Sequence, residues 1–138
     1  KGIVRKNEMR IETAIGVCDV KVYSFSGKVN SASVNLGKVV LDGEKIPSTF
    51  KGESIVGKRA EIGGKEYDIT LVNVGNPHCV VFVPRVDTID IEKVGPKFEK
   101  ADIFAHRVNT EFVRVVNETT IKKQTTVDGI FHSTVKCI

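Results

Sequence analysis

Short stretches that alternate apolar and polar residues recur along this chain, and turn-forming residues separate them. Such alternation, rich in β-branched side chains, is typical of strands with one buried face. Gly63-Gly64 is a two-residue hairpin signal, and Ser26-Gly27-Lys28 and Asp128-Gly129 are further turn signals. We therefore predict mostly antiparallel strands, at residues 9–15, 19–25, 29–36, 59–62, 66–74, 111–116 and 120–127.

One segment, residues 90–100, has the periodicity of a helix. Its apolar side chains recur at spacings of three and four and predict a buried stripe made of Ile91, Val94 and Phe98. We expect Asp87 and Thr88 to supply the N-cap, with Asp90 in the first turn. Gly95-Pro96 lies inside the segment and predicts a kink or a break.

The apolar run at residues 79–83, which Pro84 closes, predicts a strand that is buried on both faces. Many short strands with one helix give an α+β fold class in which most strands are antiparallel. The turn-rich segment 37–57 follows a predicted boundary between residues 33 and 34.

The composition fits an ordinary globular protein, with 41% hydrophobic and 28% charged residues. No apolar run is long enough to span a bilayer, and no signal peptide is visible, so no membrane association is expected. Three cysteines without a Cys-x-x-Cys pair argue against a disulfide framework or a metal site and favour a reducing cytoplasm. The net charge of +4 is spread among many acids, which favours a solvated surface over a nucleic-acid partner.

The segment that carries chemistry is the turn Gly75-Asn76-Pro77-His78 between two apolar strands. Glycine permits unusual dihedral angles and proline fixes the next one, so the turn should be rigid and should hold the Asn76 amide and the His78 imidazole at the end of a sheet. An asparagine amide both donates and accepts, which suits an amino acid's carboxylate and ammonium. The alternative is structural: Asn76 closes an Asx-turn and His78 is a hydrogen-bonded core residue.

The order and spacing of several motifs resemble the diaminopimelate epimerase family. The resemblance extends from residue 1 to about residue 124 and rests on Gly75-Asn76-Pro77-His78-Cys79, residues 86–90, Val94-Gly95-Pro96, residues 106–109, residues 111–113 and residues 120–122. It implies that residues 1–33 are strands from the end of the family's amino-terminal domain. Residues 34–138 would be most of the first part of its carboxy-terminal domain, with strands curled around a helix.

The resemblance also implies a reaction, the cofactor-independent inversion of LL-diaminopimelate to meso-diaminopimelate in lysine biosynthesis. The small-molecule amino-acid substrate would be bound by Asn76, His78 and Asn109. The family uses two cysteines, a thiolate and a thiol, that exchange roles, each in a Cys-Gly-x-Gly turn that opens a helix. No metal and no cofactor are implied.

This chain departs from the family pattern at both cysteines. The first would precede Lys1, and neither Cys18 nor Cys79 stands in a Cys-Gly-x-Gly turn. Near the other end, Val127 and Asp128 stand where the family has a Glu-Arg pair that grips the substrate. Cys137 is the candidate for the second catalytic cysteine, and the alternative is an exposed tail cysteine.

These departures predict a chain that is inactive alone and whose incomplete domain exposes apolar surface, which favours self-association. They are what a truncated or frame-altered gene would produce. A non-catalytic binding or assembly module with the epimerase fold is the alternative function. A proline racemase or hydroxyproline epimerase relative is a nearer rival, against which Gly75-Asn76-Pro77-His78 and Val94-Gly95-Pro96 argue.

Overall fold

The computed structural model describes residues 6–13, 16–52, 54–127 and 130–137. The chain divides into two compact units, residues 1–38 and residues 39–138. Among the described residues, no helix combines the length and the apolar character needed to cross a membrane.

The first unit is a three-stranded antiparallel sheet in the order β1-β2-β3, which confirms the antiparallel strands predicted there. Its strands are β1 (Glu8–Thr13), β2 (Gly16–Phe25) and β3 (Lys28–Val34). Cys18 and Val20 share its buried face. Ser26 and Gly27 both have positive φ, of 50° and 73°, as the predicted tight hairpin turn requires.

The second unit is a six-stranded sheet in which strand order follows chain order. Its strands are β4 (Lys58–Ile62), β5 (Lys65–Asn73), β6 (Pro77–Phe82), β7 (Asn109–Asn117), β8 (Thr120–Val127) and β9 (Ile130–Cys137). All neighbouring strands are antiparallel except β6 and β7, which are parallel. The sheet and the α-helix α1 (Ile91–Glu99) confirm the α+β class. The described residues of this unit also form two 3-10 turns, Gly43–Lys45 and Val86–Thr88.

The β6–β7 pair needs a long connection because parallel strands cannot be joined by a tight turn. Helix α1 lies in that connection and packs on one face of the sheet. The Phe98 ring is fully buried and forms T-shaped contacts with Tyr67 and Phe112, with ring centroids 4.9 and 5.1 Å away. Around it lie the largest buried side chains of the core, among them Ile55, Ile69, Leu71 and Val81.

The prediction that residues 79–83 are buried on both faces is wrong. Cys79 and Val81 face the helix and are 0% and 2% exposed, whereas Val80 is half-buried and Phe82 is 59% exposed. Among the described residues, the helix covers only one face of the sheet. The apolar run therefore forms a strand whose one face is buried against the helix and whose other face is apolar but uncovered.

The helix also differs from its prediction at two points. Its N-cap is Asp90, whose carboxylate accepts a hydrogen bond from the Lys93 N–H, while Asp87 and Thr88 lie in the preceding 3-10 turn. Of the predicted kink or break at Pro96, the break is wrong, because Pro96 lies inside the helix and removes only one backbone donor. The predicted apolar stripe is confirmed, because Phe98 is buried and both Ile91 and Val94 pack against the core.

Strand β9 was not predicted, and it pairs with β8 along its whole length. The predicted turn at Asp128-Gly129 lies outside the described residues.

Because the core lies on one face of the sheet, Phe98→Ala and Phe82→Ala should differ strongly. Phe98→Ala should lower the free energy of unfolding by about 3–5 kcal/mol, the usual cost of deleting a fully buried ring. Phe82→Ala should stay within about 0.5 kcal/mol of the wild type, as surface substitutions do, when both are measured at a concentration where the chain is monomeric. Urea denaturation followed by circular dichroism measures both, and similar losses for the two variants would contradict a one-sided core.

Candidate functional site

The turn between β5 and β6 is fixed by its own backbone and by Asn73. The Asn73 side-chain oxygen accepts a 2.8 Å hydrogen bond from the Gly75 N–H, and Gly75 has a φ of 109°. The Asn73 backbone is held in turn by two 2.9 Å hydrogen bonds to Val40. Asn73 thus closes an Asx-turn at this position, and the Asn76 side-chain oxygen lies beside the His78 ring.

His78, one residue into β6, contacts a polar side chain at each ring nitrogen. Nε2 lies 3.0 Å from Asn76 Oδ1, and Nδ1 lies 2.8 Å from Glu111 Oε1. The His78 side chain is 21% exposed, and that of Glu111 only 9%. His78 therefore links an exposed amide in the turn to a buried carboxylate in the sheet.

Asn109 enters the site through the parallel pairing of β6 and β7. It is the first residue of β7, it is half-buried, and its Cα is the register partner of His78. The structure therefore brings together Asn76, His78 and Asn109, the three residues predicted to bind substrate.

Glu111 is the site residue that sequence reasoning missed. It lies two residues beyond Asn109, so the alternation of a strand places both side chains on one face. A glutamate is rarely buried unless it is paired. The position of Glu111 within an apolar strand was therefore the sequence signal that could have indicated a site residue. The second carboxylate oxygen, Oε2, is buried and has no hydrogen-bond partner among the described residues.

His78 and Glu111 also line a groove of about 390 Å³ on the uncovered face of the sheet. The remaining lining of the groove is apolar except for Lys123. We call its apolar residues the open face: Val72, Val74, Val80, Phe82, Val113 and Ile121. The larger depression in the first unit, of about 510 Å³, contains none of the candidate residues.

The two described cysteine side chains are buried and unpaired by disulfides. Burial raises the pKa of the Cys79 thiol far above its ordinary value, and the nearby Glu111 carboxylate raises it further. Cys79 lies on the core face of β6, opposite His78, and Cys18 belongs to the first unit. Cys79 is therefore unsuited to be a thiolate near neutral pH.

Cys137 is not brought near the candidate residues. Its Cα pairs with Thr120, which in turn pairs with Asn117 at the far end of β7. At ~3.3 Å per residue, that end is roughly 26 Å from Asn109. By contrast, Thr126 pairs with Thr110, so Val127, the last residue of β8, is at the same end of the strands as Asn109. Asp128 lies outside the described residues, and the described part of the chain contains no cluster of His, Cys, Asp or Glu suited to a metal ion.

Comparisons with known proteins agree with the resemblance. The family model described as diaminopimelate epimerase matches residues 70–133. A diaminopimelate epimerase of Desulfitobacterium hafniense is 35% identical over 115 residues, covering 83% of this chain and 41% of that protein. One of Acetivibrio thermocellus is 38% identical over 122 residues, covering 88% of this chain and 44% of that protein.

The chain thus spans less than half the length of these curated relatives. Since the family model covers Asn76, His78, Asn109 and Glu111, and the relatives match most of this sequence, the chain belongs to the diaminopimelate epimerase family.

Proposed function

We propose that this chain carries the amino-acid-binding part of a diaminopimelate epimerase, which inverts LL- to meso-diaminopimelate without a cofactor in lysine biosynthesis. The observation that supports this most is the meeting of Asn76, His78 and Asn109 at one end of the β6–β7 pair. Two amides and an imidazole offer the donors and acceptors that an α-amino acid requires.

Inversion at the α-carbon needs a base on one face of the substrate and an acid on the other. Cys79 cannot serve, because its thiol is buried in the core and its pKa is raised. Cys18 is buried as well and stands in no Cys-Gly-x-Gly turn. We infer that these 138 residues by themselves bind the substrate and do not invert it, which also fits the alternative function of a non-catalytic binding module.

Binding is tested by titrating the 138-residue chain with diaminopimelate in a calorimeter. Asn76→Ala or Asn109→Ala should weaken the affinity about 10- to 100-fold, because each removes a hydrogen bond to a charged group of the ligand. Asn117→Ala is the matched control, since this asparagine lies at the opposite end of β7. Equal affinities in all four proteins would contradict the proposed site.

Catalysis is tested separately, by following α-proton exchange of diaminopimelate in deuterated buffer by NMR. We expect binding without exchange, because neither described cysteine side chain has an accessible thiol. The control is the same chain with Cys137→Ala. Exchange in the wild type that this substitution abolishes would show that the chain is active and that Cys137 is its catalytic cysteine.

We also propose that copies of the chain associate through the open face. Phe82 in this face is 59% exposed, and Val115, which follows Val113 on the same face of the neighbouring strand, is 58% exposed. An apolar surface of this kind favours association in water. A cytoplasmic location and the absence of a nucleic-acid partner remain predictions from the sequence.

Association is tested by sedimentation velocity over a range of concentrations. The wild type should form dimers or larger species, and Phe82→Glu should shift it to monomer because a carboxylate opposes burial of that face. Phe25→Glu makes the same change at an exposed phenylalanine of the other unit and should leave the association intact. A wild type that is monomeric at all concentrations would contradict the proposal.

A further inference from the structure

Helix α1 ends on an acidic side chain that is nearly buried. Glu99 is the last residue of the helix and is 8% exposed. A carboxylate is disfavoured there for two reasons: burial removes its hydration, and the C-terminal end of a helix favours cations. An acidic side chain in such a place needs a partner that compensates it.

That partner is Arg107, in the segment that leads from α1 into β7. Its Nη1 donates a 2.7 Å hydrogen bond to Glu99 Oε1, and within the described residues this is the ion pair that Glu99 forms. The Arg107 side chain is 67% exposed, so the pair joins a buried carboxyl group to a cation at the surface. A pair of this kind is weak evidence for stability, but its directional hydrogen bond fixes the two side chains relative to each other.

The pair completes the attachment of segment 100–108, which connects α1 to β7. In the middle of this segment, the Ala105 N–H donates a 3.1 Å hydrogen bond to the Pro47 carbonyl oxygen. Nearer to β7, Arg107 is bound to the end of the helix and Val108 is buried in the core. Two attachments therefore immediately precede Asn109, the first residue of β7.

These two attachments restrict Asn109 in different ways. Burial of Val108 fixes the face of the sheet on which Asn109 lies, because successive side chains of a strand alternate. It does not fix the position along the strand, since a shift by two residues keeps every side chain on its face. In a parallel pair such as β6–β7 no tight turn sets that position.

We propose that Glu99 is a positioning residue: through Arg107 it sets where β7 begins, and so it sets Asn109 beside His78. This rests on the proposed amino-acid-binding function, in which Asn109 contacts the ligand. Because α1 packs on the face of the sheet opposite the candidate site, Glu99 acts through the position of the backbone and not by touching the ligand.

The first test replaces the pair without leaving an unpaired charge. The double variant Glu99→Met, Arg107→Met should unfold at the same urea concentration as the wild type, because apolar replacement of a buried pair is often neutral. It should bind diaminopimelate about tenfold more weakly, the effect of one misplaced hydrogen bond. An unchanged affinity in the folded double variant would overturn the proposal.

The matched control makes the same two substitutions at an exposed ion pair of the other unit. Glu8→Met with Lys21→Met removes a pair whose atoms are 3.0 Å apart and should change neither stability nor affinity. Should the double variant at α1 fail to fold, Glu99→Gln keeps the shape and removes the charge. It should weaken binding in the same direction, and an unchanged affinity there would count equally against the role of Glu99.

A double-mutant cycle separates positioning from a general structural role. In the Asn109→Ala background, replacement of the Glu99–Arg107 pair should weaken binding no further, because the side chain that the pair positions is already absent. A weakening of the same size in both backgrounds would show that the pair acts on the fold as a whole, and would contradict the positioning role.

NMR of the chain without ligand tests the placement of Asn109 directly. Nuclear Overhauser contacts between the backbones of Asn109 and its register partner His78 should weaken when the pair is replaced. Those between Phe82 and Val113, at the other end of the β6–β7 pair, should persist. Unchanged contacts between Asn109 and His78 would overturn the proposal.

The two proposals fail in different ways. A wild-type chain that does not bind diaminopimelate, but whose contacts between Asn109 and His78 are lost with the pair, would refute the amino-acid-binding function and leave the role of Glu99 in place. Binding that is lost in Asn109→Ala and unchanged in the double variant would refute the role of Glu99 alone.

Discussion

The parallel pairing of β6 with β7 is the constraint on which the rest of the second unit depends. A parallel pair requires a long crossover, and this crossover contains α1, which supplies the Phe98 ring at the centre of the core. The same pairing sets Asn109 beside His78 and brings Glu111 onto the face that His78 occupies. One connection therefore builds the core on one face of the sheet and the candidate site on the other.

The two faces of the sheet carry different ionisable side chains. On the helix face, close-packed apolar side chains hold Cys79 as a neutral, unreactive thiol. On the other face the same two strands carry the buried side chain of Glu111, whose Oε1 lies 2.8 Å from His78 Nδ1. The alternation of side chains along a strand makes this separation possible within two or three residues. The site and the core thus lie on opposite faces of the same strands, and the Glu111 carboxyl group still contributes to the raised pKa of the Cys79 thiol.

Local signals in the sequence were sufficient for strands β1 to β8, for the hairpin turns at Gly27 and at Gly63-Gly64, and for the turn that holds Asn76 and His78. They were insufficient for Glu111, because its partner His78 is 33 positions away and only the register of a parallel pair brings them together. The prediction for residues 79–83 is wrong because a run of apolar residues does not reveal whether the rest of the protein covers one face of the strand or both. The sequence does not define the start of the helix, because Asp87, Thr88 and Asp90 are all residue types that favour the N-cap. In the structure Asp90 is the N-cap, and Asp87 and Thr88 belong to the preceding 3-10 turn.

The register also brings the end of β8 to the candidate site. Thr126 pairs with Thr110, so Val127 is at the same end of the sheet as Asn109. Cys137 is at the opposite end of the strands, beside Thr120. The departure from the family pattern that the sequence predicts at Val127 therefore concerns the same end of the sheet as Asn76, His78 and Asn109, whereas the candidate cysteine lies away from it.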